Sequence, residues 1–155
     1  MIKQIFNEIV DVFSSSDAVE TSAADRDAAI RRATAVLMLD VARADYVFEE
    51  DEFERVLNLM ESHFGLSSED AAQLVNDASD EAEDLTSVHQ FTQLLHEHLD
   101  ESEKARIIGL LWQIAFADGR LDKYEDSLVL KISDLLYVSR ARVMRLKHDA
   151  ELAAQ

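Results

Sequence analysis

Cysteine and proline are both absent from the 155 residues, and glycine occurs only three times. Without cysteine there is no disulfide, no thiol nucleophile and no thiolate zinc site. A chain with so little glycine and no proline cannot punctuate the many tight turns of a sandwich or barrel, whereas helices joined by short polar loops need little of either. Positive charge is scarce too: 15 Lys and Arg stand against 32 Asp and Glu, a formal net charge of −17. That balance leaves little from which to assemble a cationic face for phosphates, and so argues against nucleic acid as a partner. No run approaches the roughly 18 apolar residues that membrane insertion requires. The first residues also lack the basic and apolar regions of a secretory signal, so the expectation is a cytoplasmic protein.

What is present is 48% hydrophobic and 30% charged sequence, enough for one domain with a real core. The expected fold class is all-α, a single compact bundle of seven to eight helices built from two pseudo-symmetric helical repeats. Apolar periodicity predicts helices over about 2–13, 26–44, 50–64, 68–83, 86–99, 103–117, 123–137 and 139–152. Residues 1–13 form an amphipathic segment, with Ile2, Ile5, Phe6, Ile9, Val10 and Phe13 on one stripe. Its polar face carries Glu8 and Asp11 against Lys3, which repels the anionic surfaces that interfacial helices seek. The stripe is therefore expected to pack inside the molecule or against a second copy, with a partner protein next and a membrane last. Residues 14–25 are small and polar and read as a linker, and 26–152 as the helical domain.

Two stretches repeat, about 33–74 and 105–146. Leu39-Asp-Val-Ala-Arg-Ala-Asp45 precedes Tyr-Val-Phe-Glu-Glu-Asp-Glu52, and Trp112-Gln-Ile-Ala-Phe-Ala-Asp118 precedes Gly-Arg-Leu-Asp-Lys-Tyr-Glu125. Each copy reads as helix, acidic loop, helix, turn, helix. Each alone would leave an apolar stripe in water, so the two are expected to pack together about a pseudo-two-fold axis. The turn after the second helix is Phe64-Gly65-Leu66-Ser67 in copy one, with glycine placed to stop the helix and serine to cap the next; Tyr137-Val138-Ser139 repeats it without glycine.

The doubled motif, clearest as Ala115-Phe-Ala-Asp118-Gly119-Arg-Leu121-Asp122-Lys-Tyr-Glu125, resembles the TerB-like family, named for bacterial tellurite-resistance proteins. The resemblance covers about residues 30–150. It implies an all-α domain of the prokaryotic cytosol, a non-enzymatic role in stress response, often beside membrane-linked or chaperone-like assemblies, and acidic loops that are suspected metal sites. Copy one departs from the pattern, with Tyr46 where the family has glycine. Family membership is an analogy, and function has to be argued from the site.

Set against an EF-hand calcium loop, Asp118, Gly119, Asp122 and Glu125 fill positions of the second half, while Ile114 and Phe116 stand where the first ligands belong. One loop then offers about five oxygens against the six to eight that Ca²⁺ prefers. Asp45, Glu49 and Glu52 hold the matching places in copy one. These six carboxylates are the candidate ligands for a divalent cation such as Ca²⁺ or Mg²⁺. The competing reading needs no metal: Asp122 and Glu125, and less well Glu49 and Glu52, have the spacing of a capping box at a helix N-terminus.

His89, His96 and His98 cluster in sequence, but on a helix His96 and His98 point about 200° apart, too far to chelate together. His98 is expected on the core side, and His89 and His96 on the solvent face. No nucleophile, base and orienting group share a recognisable motif, and no glycine-rich loop could cradle phosphate, so the chain is read as no enzyme. From Val56 to Glu103 there are twelve acids and no Lys or Arg. Such a run is most often a solvated face; otherwise it steers a basic protein partner, and Arg140, Arg142, Arg145 and Lys147 near the end could neutralise part of it within the chain or across a homodimer. The reading that results is an interaction module with candidate cation-binding loops. Its alternative is a calcium-type sensor in which the ion changes helix packing.

Overall fold

Helix-forming residues dominate every periodic stretch, and in a computed structural model they form an all-α bundle. The structure describes residues 23–43, 50–83, 89–117 and 121–154, so the amphipathic segment 2–13 and most of the linker lie outside the described residues. Among the described residues there are seven helices: α1 (Ala23–Ala42), α2 (Glu50–Phe64), α3 (Ser68–Glu83), α4 (His89–His98), α5 (Glu101–Ala115), α6 (Lys123–Leu135) and α7 (Arg140–Ala153).

Helix α1 is the centre. From Ala33 to Leu39 every residue is buried, Thr34 included, and its hydroxyl donates to the Ile30 carbonyl at 2.7 Å. A helix apolar on all sides must be surrounded, and α2, α3, α5 and α6 all pack on α1. Helix α5 is the second buried helix, carrying Ile107, Ile108, Leu110, Leu111 and Trp112 into the core. The two broadest interhelical contacts are α1 with α3 and α5 with α7. In each triple, therefore, the first helix lies chiefly against the third.

The two turns predicted to correspond do so in detail. Gly65 has φ +65° and Leu66 N–H donates back to the Glu61 carbonyl at 3.2 Å. Tyr137 has φ +59° and Val138 N–H donates to the Ser133 carbonyl at 3.2 Å. Both are six-to-one helix stops, the second made at a cost because a side chain at positive φ is crowded. Each is followed by a serine cap: Asp70 N–H donates to Ser67 Oγ at 3.1 Å and Arg142 N–H to Ser139 Oγ at 3.3 Å.

Several boundaries differ from the sequence reading by one to three residues, and two of the differences have a plain local cause. Helix α5 starts at Glu101 because Asp100 caps it, accepting from Glu103 N–H at 2.8 Å while Glu103 Oε1 accepts from Asp100 N–H at 3.0 Å. Helix α6 ends at Leu135 because Tyr137 turns left-handed, two residues before apolar periodicity runs out.

Candidate functional site

The second acidic corner starts where α5 ends. Phe116 and Ala117 still donate back into the helix, to Trp112 and Ile114, and remain largely covered. Asp118 lies outside the described residues, as do Asp45 and Glu49 of the first corner, while Glu52 stands in the first turn of α2. Asp122 is the N-cap of α6, with extended backbone, and its Oδ1 accepts from Tyr124 N–H at 2.7 Å and Glu125 N–H at 3.4 Å. Glu125 sits in the first turn with 5% of its surface exposed. Of the six candidate ligands, the described residues bring Asp122 and Glu125 together on one turn, and there the aspartate already serves the helix. Among the described residues, no group of three or more His, Cys, Asp or Glu is placed to hold a metal ion.

The larger feature is the outward face of α3. Ala71, Val75 and Ala78 are buried on its inner side, so helical spacing sends Glu69, Asp70, Asp77 and Asp80 to the surface. Among the described residues none of these four has a cationic partner within ion-pair distance; Asp77 Oδ1 accepts only the Gln73 amide, at 3.0 Å.

Four acids elsewhere are matched by cations. Arg26 grips Glu103 through both nitrogens, at 2.6 and 3.2 Å, and also donates to the His98 carbonyl at 2.6 Å. Lys147 meets Asp126 at 2.8 Å, Arg140 meets Asp134 at 3.1 Å and Arg142 reaches Glu101 at 4.0 Å. The guanidinium of Arg26 holds the Glu103 carboxyl below the usual range. The Glu103 N–H, with the Ser102 hydroxyl, does the same for Asp100. Asp40 goes the other way, since burial on α1 pushes its carboxyl up and Lys131 and Arg43 offset that only in part.

Among the described residues the histidines form no metal-holding group, though one sits differently from expectation. His89 is exposed, but His96 is half-buried instead of facing solvent. Its ring lies 4.3 Å from the Tyr137 ring, and its Nδ1 is 2.8 Å from Nζ of the buried Lys104. The left-handed turn at Tyr137 brings that ring over α4, a long-range placement that periodicity within α4 cannot carry. A second arrangement unseen in the sequence is the seam between α2 and α5, where Arg31, Arg55 and Arg106 gather around two hollows. They come from three helices, and no spacing links them.

A family model described as "Tellurite resistance protein TerB" matches residues 31–148. No curated protein and no solved structure matches the chain.

Proposed function

Since the chain belongs to the TerB family, we propose that it is a non-enzymatic, cytoplasmic interaction module of a stress or tellurite-resistance system, binding a basic protein partner through the outward face of α3. The observation that carries this reading is that Glu69, Asp70, Asp77 and Asp80 are exposed on one face without a cationic partner among the described residues, while Glu101 and Glu103 of α5 and Asp126 and Asp134 of α6 have theirs. Unmatched like charge on one face steers a partner of opposite sign and speeds encounter.

The test is the association of the chain with proteins of its host at rising ionic strength. Association should slow as salt rises, and the triple variant Asp70→Lys, Asp77→Lys, Asp80→Lys should lose it while keeping its helical signal. Association indifferent both to salt and to the triple variant would remove the proposal.

The acidic corners are read first as helix caps, because Asp122 gives its Oδ1 to two backbone N–H groups. A divalent cation there would have to draw on the second oxygen of Asp122, on Glu125 and on Asp118. The calcium-type sensor asks more, since its ion must also move helices. Under the capping reading, millimolar Ca²⁺ or Mg²⁺ leaves the melting temperature unchanged. A rise with added ion that Glu125→Gln abolishes would establish the cation site instead.

A further inference from the structure

Where α2 ends against α1 and α5 there is a hollow of about 260 Å³. Its apolar wall is made by Ile30 and Ile107, both buried, and by the ring of Phe64. Arg31 of α1, His63 of α2 and Arg106 of α5 line it as well. Arg106 donates through Nη2 to the His63 carbonyl, one of those that the end of α2 leaves open, and lies over the Phe64 ring, 4.6 Å from its centre. Its direction is thereby fixed, and most of its N–H donors stay unused among the described residues. Arg31 makes no hydrogen bond or ion pair among the described residues. It also borders a hollow on its other side, where Asp70 and Asp77 stand, and pairs with neither. Two acids reach the first hollow. Asp27 is exposed, and both oxygens of Glu103 are engaged by Arg26, with Oε1 also accepting from Asp100 N–H. With Arg26 included, three guanidinium groups face two carboxylates, a local excess of positive charge in a chain of net charge −17.

We propose that this hollow binds a small organic acid, a carboxylate carried on one ring or on a short branched chain. The carboxylate lies between Arg31 and Arg106, whose planar forks present paired donors to its two oxygens. The apolar body lies against Ile30, Phe64 and Ile107. Size agrees: a dry apolar cavity of roughly 150 Å³ accepts benzene, so about 260 Å³ has room for a ring together with its acid group. Both halves of the site are needed. An inorganic oxyanion would leave the apolar wall in water, and a neutral ring would leave the two guanidinium groups without a counter-charge. The larger hollow of the seam, about 520 Å³, has Arg55 as its one charged lining residue and so offers no second fork. Because the bound acid touches α1, α2 and α5 at once, it favours the folded chain by mass action.

Benzoate, acetate and benzamide separate the two halves when each is titrated into the full chain and the amide resonances are followed. Benzoate in the millimolar range should give saturable, single-site shifts at Ile30, Arg31, Phe64, Arg106 and Ile107. Acetate, which lacks the ring, and benzamide, which lacks the charge, should each bind about tenfold more weakly or worse, the loss of one good contact. Arg31→Gln should weaken benzoate by a similar factor. Since Arg31 holds nothing else in place among the described residues, this variant should keep the melting temperature that the chain has without ligand. Arg55→Gln, in the neighbouring hollow, should leave benzoate binding unchanged. The inference is overturned by shifts that spread over the surface without saturating, by benzamide or inorganic phosphate binding as tightly as benzoate, or by loss of binding in Arg55→Gln with Arg31→Gln unaffected.

Discussion

The outward face of α3 is acidic, whereas α5, α6 and α7 carry acids and bases in near balance, and the two regions treat their carboxylates differently. In the second region Arg140, Arg142 and Lys147 stand opposite Asp134, Glu101 and Asp126, and Arg26 reaches across from α1 to Glu103. On α3, Glu69, Asp70, Asp77 and Asp80 face water. The difference is in composition before it is in geometry, since no Lys or Arg lies between Val56 and Glu103. Twelve of the 32 acids lie in that stretch, and four of them, on the outward face of α3, meet no cation among the described residues. A surface the fold does not need is one that a partner can occupy.

The strongest blow to the matched region is struck beneath it. Trp112 is fully buried, with Lys147 Nζ 5.3 Å from its ring centre, above it on the Asp126 side. Trp112→Ala should cost about 3–5 kcal/mol in denaturant unfolding, the usual penalty for emptying a large aromatic site. A loss under about 1 kcal/mol would mean that α5 and α7 are held by surface charge and not by the core.

Next in size is the cap on α6. Asp122→Ala should cost about 1 kcal/mol, with Asp122→Asn costing less because the amide oxygen still accepts from the backbone. If the two variants are equally harmful and the loss is relieved by chelating trace metal, the aspartate is a ligand and not a cap.

Acid separates the matched carboxylates by sign. The Glu103 carboxyl is held below its ordinary value of 4.5 in the fold. Its contribution is therefore fully present above that value and is lost as pH falls through the lower folded one. Asp40, pushed above its ordinary 3.8, contributes fully below that value and loses the contribution as pH rises through its folded value. Asp40→Asn should thus raise stability slightly at pH 7, and Glu103→Gln should lower it there while flattening the acid limb of the pH–stability curve. Opposite signs for the two variants would overturn the assignment of cause.

The smallest effect on stability belongs to α3. The reversals at Asp77 and Asp80 should shift it by no more than about 0.5 kcal/mol each, as exposed substitutions away from caps and core do, and Asp70→Lys, in the first turn of α3, by up to about 1 kcal/mol because it also opposes the helix dipole. If they unfold the chain, that face is part of the fold and the contrast between the regions fails.

Much of this was legible in the sequence because it is local. The stripes of α2 and α3, the glycine stop at Gly65, the serine cap at Ser67 and the glycine-free stop at Tyr137 are each set by residues within a turn or two of one another. The start of α5 was placed two residues late because apolar spacing outweighed the capping box of Asp100 and Glu103. What spacing cannot encode is convergence from separate helices. Arg31, Arg55 and Arg106 meet along a seam, and Lys104 meets His96 under Tyr137, only after α1, α4 and α5 are packed. The acidic corners were half legible. Asp122 and Glu125 hold their predicted places on one turn, while Asp118, Asp45 and Glu49 lie outside the described residues.

The most direct measurement of the central claim is zero-length coupling of carboxylates to lysines in cells that contain the full chain, followed by mapping of the joined peptides. The account predicts that links to a basic partner fall on Glu69, Asp70, Asp77 and Asp80 and vanish in the triple reversal. Links confined to Asp134, Asp126 and Glu101, undisturbed by that reversal, would contradict it.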